Sequence, residues 1–144
     1  MPITYQIDRK VALIRTRCWG NVTIDEVRDH FRQLVKDPDR PDCLDVFLDL
    51  RDITSTPSAK DIREAGNTIA RLPSTVRFGV CAIVAQRDAL YGMSRMFSVF
   101  VERFFTAITA FRSVPEAEAW LQAQRGQELS AAAASPKGPW ADSW

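Results

Sequence analysis

Five short stretches rich in apolar residues predict five β-strands along the chain. The first, ITYQI at residues 3–7, alternates apolar and polar positions, as a half-buried strand does. VALIRTR at residues 11–17 follows after a few polar residues, so these two strands are expected to pair as an antiparallel hairpin. The later stretches lie at residues 45–50, 74–85 and 107–112, and the first two of these are nearly continuous in apolar residues. Continuous strands of that kind lie inside parallel sheets that are covered on both faces.

Apolar residues at helical spacing predict four helices, one after each strand from the second onward. Their predicted ranges are residues 20–38, a segment from about Pro57, residues 88–105 and residues 113–124. Thr23 and Glu26 form a capping box at the start of the first helix, and Pro38 ends it. The first three helices each connect two strands, which is the arrangement of βαβ units.

The order of these elements predicts one α/β domain. It contains a single five-stranded, mostly parallel sheet, with the strands in sequential order and an antiparallel first strand at the edge. Four helices are expected to flank the sheet, with helices on both faces. The composition changes after Gln124 to Ala, Ser, Pro and Gly, so residues 1–124 are interpreted as the domain and residues 125–144 as a C-terminal tail. Trp140 and Trp144 are the predicted anchors of that tail, on its own domain or on a neighbouring subunit.

Composition and charge exclude several classes of protein. The net charge of +1 gives no basic surface of the kind that nucleic-acid binding needs. Three well-separated cysteines (Cys18, Cys43, Cys81) and the single histidine, His30, do not form a metal-binding pattern, and no cofactor motif is present. Three cysteines without the spacing of a disulfide framework favour a reducing, cytoplasmic location. The N-terminus has no apolar signal region, and no apolar stretch is long enough for a transmembrane segment.

The pattern of elements and three short motifs resemble a known family. The motifs are LDLRDI at the end of the third strand, YGMSRM at the start of the long helix, and the closing FRSVPEAEAWL. Over residues 3–124 the chain resembles the SpoIIAA-like group of STAS domains, named after sulfate transporters and anti-sigma-factor antagonists. This resemblance implies a non-enzymatic regulatory or protein-interaction module. The same general fold resembles the lipid-binding CRAL-TRIO domains, which brings an apolar ligand into consideration.

The hydroxyl cluster at residues 54–58 has two interpretations. In regulatory STAS domains a serine after the third strand is phosphorylated, and the resemblance places Ser58 at that position, although Pro57 replaces the family's aspartate. The other interpretation is helix capping, with Thr56 or Ser55 as the cap and Ser58 in the first helical turn. The motif with Asp61 three residues after Ser58 is a further capping alternative.

The long helix at residues 88–105 is predicted to carry the function. Its apolar residues span about half of the helical circumference, whereas a helix on a sheet needs a stripe of roughly 100°. The additional surface needs cover, and neighbouring helices, a homodimer interface or an apolar ligand would each provide it. The candidate residues for a pocket or interface are Tyr91, Met93, Met96, Phe97 and Phe100. Gly92 is interpreted as a point of close approach.

The sequence therefore leaves two functional classes open. The first is a STAS-like regulatory module that acts on a protein partner through its surface. The alternative is a module that binds a small apolar molecule or lipid in a cavity under the long helix. No paired carboxylates, nucleophile–base set or phosphate loop is evident, so no residue is assigned a catalytic role. His30, which has no evident catalytic partner, is interpreted as a boundary residue.

Overall fold

The structure is a computed structural model that describes the backbone of residues 2–134 and the side chains of residues 2–126. The predicted anchors Trp140 and Trp144 lie outside the described residues. The elements, in chain order, are β1 (Ile3–Asp8), β2 (Leu13–Gly20), α1 (Ile24–Lys36), β3 (Cys43–Ile53), α2 (Ala59–Ala70), β4 (Arg77–Val84), α3 (Asp88–Val101), a 3₁₀ turn (Glu102–Phe104), β5 (Ala107–Phe111) and α4 (Val114–Ala134).

The five strands form one sheet in the order β1-β2-β3-β4-β5. β1 pairs with β2 in the antiparallel sense, and the remaining neighbours pair in parallel. The predicted mostly parallel sheet with an antiparallel edge strand is therefore confirmed. The hairpin turn between β1 and β2 contains Ala12 at a φ of 54°, in the left-handed region that an alanine seldom adopts.

The four helices divide unequally between the two faces of the sheet. α1, α2 and α3 pack beside one another on one face, which we call the three-helix face. α4 alone covers β4 and β5 on the opposite side, which we call the one-helix face. The prediction of helices on both faces is confirmed, and the continuous apolar run of β4 follows from its central position between them.

Two helix boundaries differ from those predicted for the sequence. α4 extends past Gln124 to Ala134. Residues 131–134 are all alanine, the residue type with the highest helix propensity, and this favours the continuation of the helix. α3 ends at Val101, and the last part of its predicted range forms the 3₁₀ turn. The division of the chain at residue 124 stays a prediction.

Capping side chains begin α1 and α2. At α1, Thr23 and Glu26 form the predicted capping box. At α2 the expected cap, Thr56 or Ser55, was wrong, and the alternative is confirmed: the N-cap is Ser58, in a capping box with Asp61. The Ser58 hydroxyl accepts a hydrogen bond from the Asp61 amide at 3.1 Å, and the Asp61 carboxylate accepts one from the Ser58 amide at 3.0 Å. This reciprocal pair satisfies two backbone donors at once, which a hydroxyl before Pro57 does not.

A β-bulge in β4 shapes the one-helix face. Phe78 pairs with Leu44 and Cys81 with Val46, so two residues of β4, Gly79 and Val80, lie opposite the single residue Asp45. The Asp45 carboxylate accepts a hydrogen bond from the Val80 amide at 2.9 Å. A Cβ atom at Gly79 would lie only 2.1 Å from an Asp45 oxygen, so this position requires glycine.

Candidate functional site

An apolar cavity of about 200 Å³ lies between the three-helix face of the sheet and helices α1, α2 and α3. The sheet contributes its floor through inward-facing residues of β1 to β4. The helices contribute the roof through the apolar residues that the sequence placed on their buried faces. The larger apolar lining residues are Ile3, Ile14, Val22, Ile24, Val27, Phe31, Leu34, Val46, Leu48, Leu50, Ile53, Ile62, Ile69, Phe78, Ile83, Leu90, Met93, Phe97 and Phe105.

The cavity reaches the surface between the start of α1 and the loop that leads into α2. Thr23, which lines it there, is exposed, and Ser55 and Pro57 on the opposite side are half-buried. The Ser55 hydroxyl accepts a hydrogen bond from the Val22 amide at 3.3 Å, which joins the two sides. The opening is therefore bordered by polar contacts, while the interior is apolar.

Arg87 holds the loop at this opening in place. Its guanidinium donates to the backbone oxygens of Ser55 at 2.7 Å and Ile53 at 3.2 Å. It also donates to the Thr56 hydroxyl at 3.1 Å. Because Arg87 directly precedes α3, one side chain connects the start of that helix to the loop beside the cavity.

Few polar groups line the cavity. Thr16, in the middle of β2, is only 5% exposed, and its hydroxyl makes no hydrogen bond with any residue that the structure describes. Ser94, on α3, is 4% exposed and donates its hydroxyl proton to the Leu90 oxygen at 2.8 Å. His30 packs its ring edge-on against Tyr5 and Phe31, with centroid distances of 5.4 and 5.1 Å.

Burial keeps two titratable groups of the cavity, the His30 imidazole and the Cys18 thiol, in their uncharged forms. It lowers the pKa of His30 to about 4, so the imidazole is neutral at pH 7. Burial, with a smaller contribution from the Asp49 carboxylate, raises the pKa of the Cys18 thiol to about 12. In the described part of the chain no lysine or arginine lines the cavity, and Asp61, at the start of α2, is the one carboxylate there that does. The arrangement suits an apolar molecule and offers no acid–base pair.

The structure separates the five residues that the sequence grouped on α3. Met93 and Phe97 line the cavity. Met96 and Phe100 lie on the outside of the helix, 38% and 43% exposed. Tyr91 is half-buried beside the cavity lining, and the Arg112 guanidinium lies 4.4 Å from the centre of its ring.

Gly92 is not a point of close approach. A Cβ atom there would meet nothing within 4 Å, so that interpretation was wrong. Gly66 of α2 does face α3, but a Cβ atom there would make an ordinary van der Waals contact with Phe100 and Val101, at 3.6 Å.

Ser58 lies outside the cavity, in the first turn region of α2, and is exposed. Its hydroxyl and its amide are both used in the capping box. A phosphate at Ser58 would have to compete with the Asp61 carboxylate for the same backbone donors. The phosphorylation hypothesis stays a prediction, and the capping role accounts for the serine without it.

An exposed apolar patch lies on α3, away from the cavity. It consists of Met96, Val99, which is 66% exposed, and Phe100. A shallow groove between α2 and the end of α3 borders it, with Phe104 at one end. Charged residues of both signs surround the groove, namely Lys60, Arg63, Arg103, Glu64 and Glu102.

Sequence reasoning missed the contribution of α1, α2 and β2 to the cavity. The apolar faces of the two helices were recognised, but they were assigned to ordinary packing against the sheet. One signal was visible in β2, where Thr16 stands between Ile14 and Cys18 on a strand face that is otherwise apolar. A polar residue at such a position indicates a special environment.

A scan against protein-family models and a search of curated proteins gave no match. Among solved structures, the chain is similar to an uncharacterised protein of the DUF3478 family with a SpoIIAA-like fold, from Shewanella loihica PV-4. The TM-score is 0.54 and the sequence identity 15%, over 83% of this chain and 93% of that chain. The chain has a SpoIIAA-like fold. At this level of identity the likeness establishes the fold alone, and it confirms the resemblance found in the sequence.

The described residues contain neither a cluster of metal-ligating side chains nor a helix suited to span a membrane. Among the side chains described within residues 2–134, which are those of residues 2–126, no group of three or more His, Cys, Asp or Glu is placed to hold a metal ion. None of the helices in that part of the chain combines the length and the apolar character that crossing a membrane requires.

Proposed function

We propose that this protein is a non-enzymatic binding module that holds a small apolar ligand in the cavity on its three-helix face. The observation that carries the proposal is the cavity itself. Its volume of about 200 Å³ exceeds that of the roughly 150 Å³ engineered apolar cavity that binds benzene. A molecule of about eight to ten non-hydrogen atoms is therefore the expected size class, extrapolating from that case.

The lining favours an apolar occupant over bulk water. A water molecule needs two to four polar partners in a cavity, and most of the walls here are aliphatic or aromatic. Transfer of an apolar ligand from water into these walls gains roughly 25 cal/mol per Å² of buried apolar surface. Met93 and Phe97 provide adaptable and flat surfaces for such a ligand.

The test uses a substitution that fills the cavity. Ala65, on α2, lines it, and Ala65→Leu adds three carbon atoms inside. We expect ethylbenzene to bind the unmodified protein, measured by ligand-observed NMR, and to bind the variant at least tenfold more weakly. Ala89→Leu, an exposed position on α3, is the matched control and retains binding. Ala65→Met is a second filling variant, whose flexible side chain adapts to the space if leucine disturbs the fold.

Two results would count against ligand binding. Either the unmodified protein does not bind ethylbenzene, or the Ala65→Leu variant binds it as tightly as the control does. Gentle solvent extraction and mass spectrometry of the purified protein supplement this test, because a natural ligand that copurifies would be identified directly.

A second candidate function, supported by the exposed patch of Met96, Val99 and Phe100, is self-association. Several large apolar side chains grouped on one helix are typical of interaction surfaces. The groove beside them carries both cations and anions, so the surface is complementary to itself in a two-fold pair. The occupant that we propose is thus a second copy of this chain.

The double substitution of Met96 and Phe100 by Ser tests the interface. We expect the unmodified protein to sediment as a dimer and the variant as a monomer, with the binding of ethylbenzene retained. Sedimentation as a monomer before and after the substitution would exclude the interface. This result would leave ligand binding in the cavity unaffected.

A further inference from the structure

We infer that the ligand is a neutral molecule with one hydrogen-bonding oxygen, such as an alcohol, ketone or ester, which pairs with the hydroxyl of Thr16. This inference rests on the proposed function and specifies the chemical class of the ligand. Thr16 lies on the floor of the cavity, on β2, and its hydroxyl has no hydrogen-bond partner among the described residues.

The unpaired hydroxyl is the principal observation. A hydroxyl that is removed from water without a partner destabilises the folded state, so buried polar groups are nearly always paired. Valine has almost the same shape as threonine and would fill this position without that cost. The neighbouring positions on the same strand face, Ile14 and Cys18, are apolar as expected for a buried sheet. A ligand oxygen at Thr16 supplies the missing partner.

The other hydroxyl deep in the cavity is already used. Ser94 donates its proton to the Leu90 oxygen of its own helix, so it can act toward a ligand only as an acceptor. Thr16 remains able both to donate and to accept, which suits a carbonyl oxygen as well as a hydroxyl group. One polar group on the ligand is thus expected, close to the sheet, with the apolar part toward the helices.

The charges around the cavity disfavour an anionic ligand. No lysine or arginine among the described residues lines it, and the imidazole of His30 is neutral at pH 7 because burial lowers its pKa to about 4. A carboxylate in this environment would lose its hydration without gaining a positive partner. Asp61 stands at the start of α2, and its carboxylate is bound to the Ser58 amide. A fatty-acid anion is therefore disfavoured relative to an alcohol or ester of the same size.

The experiment compares three ligands of similar shape: benzyl alcohol, ethylbenzene and benzoate. Each is titrated by NMR against the unmodified protein and against Thr16→Val and Thr16→Ser at pH 7. We expect Thr16→Val to weaken the binding of benzyl alcohol by about 3- to 10-fold, as the loss of one hydrogen bond implies. The affinity for ethylbenzene, which has a methyl group in place of the hydroxyl, should change less than twofold. Thr16→Ser, which keeps a hydroxyl group, should largely restore the preference.

The outcomes separate the role of Thr16 from ligand binding in general. Equal changes for benzyl alcohol and ethylbenzene in Thr16→Val would show that Thr16 only shapes the cavity, and would overturn this inference while the proposed function stands. Tighter binding of benzoate than of benzyl alcohol would also overturn it. Failure of all three ligands to bind the unmodified protein would overturn the proposed function together with the inference.

Discussion

The two faces of the sheet are built in different ways. On the one-helix face, Val80, Ala82 and Val84 of β4 are completely buried beneath α4, whose Ala117 is also completely buried. On the three-helix face, three helices cover the sheet and still leave a cavity of about 200 Å³. More covering elements have thus produced looser packing.

The difference lies in how the helices are held. α4 packs small side chains directly onto the sheet. Arg125 of the same helix also forms an ion pair with Asp45 of β3. On the three-helix face, α1 is held at its end by the Tyr5 hydroxyl, which donates to Asp37 at 2.6 Å. Polar contacts at the edges fix the roof of the cavity without filling the space beneath it. A binding site of this kind needs support from outside its apolar walls.

The largest expected effect compares deletions on the two faces. Leu121 lies on α4 and its side chain, 2% exposed, packs between that helix and the sheet. Leu121→Ala should lower the free energy of unfolding by about 3 kcal/mol, because a new void forms in a closed core. Met93→Ala, on the wall of the existing cavity, should cost only about 1 kcal/mol, below the usual range for a filled core. Urea denaturation measures both, and equal costs would contradict the difference in packing.

The β-bulge on the one-helix face should also tolerate no additional atom. Gly79→Ala places a Cβ atom 2.1 Å from the Asp45 carboxylate, which Val80 and Arg125 hold in place. We expect a loss of about 2 kcal/mol, as for other overpacked sites. Gly92→Ala on α3 is the control, where a Cβ atom meets nothing within 4 Å, and it should stabilise the protein by roughly 0.5–1 kcal/mol. A neutral Gly79→Ala would refute the close contact.

The three-helix face should respond to acid through His30. Its pKa of about 4 in the folded protein lies below the ordinary value of 6.5, so the unfolded chain binds more protons between these values. This contribution to stability is complete above pH 6.5 and is lost as the pH falls toward 4. We expect the free energy of unfolding to fall by about 1–2 kcal/mol over this range. This is less than the full pKa shift of His30 implies, because the residue is only half-buried.

His30→Phe removes this titration while keeping an aromatic ring against Tyr5 and Phe31. Urea midpoints at pH 7.5 and 5 measure the difference between the two proteins. If both lose the same stability over this interval, His30 is not the titrating group.

The smallest expected effect concerns an ion pair on the one-helix face. Arg15 and Glu118 connect β2 to α4 through two hydrogen bonds, but the Arg15 side chain is 48% exposed. Glu118→Gln should therefore cost only about 0.5 kcal/mol, and the cost should decrease further in high salt. A loss above 2 kcal/mol would mean that this pair, and not only apolar packing, holds α4.

The sequence predicted the sheet more fully than the site. The strands followed from alternation at residues 3–7 and from continuous apolar runs in β3 and β4, because each of these patterns depends on local burial. Their order in the sheet followed from the succession of strands and helices along the chain. The cavity could not be predicted in the same way. Its walls come from α1, α2, α3 and four strands, and only the distances between these elements decide whether their apolar faces touch or leave a space.

The same limit explains the residues of α3. A helical wheel showed that about half of the surface of α3 is apolar, and it placed both Met93 and Met96 on that half. It could not show which of these residues faces inward: Met93 lines the cavity, whereas Met96 is 38% exposed on the outside of the helix. The prediction of the α2 cap failed for a different reason. Several hydroxyl residues follow one another there, and each of them satisfies the residue preference for an N-cap.

The position of α4 at the end of the described chain has a consequence for biosynthesis. Arg125 contacts the Val11 oxygen across 114 positions of the chain, so this contact forms only after nearly the whole domain has been made. Until α4 emerges, the apolar side of β4 on the one-helix face has no cover. Nascent chains that stop before Ser113 would expose Val80, Ala82 and Val84 together, and such intermediates are the species expected to aggregate or to recruit chaperones.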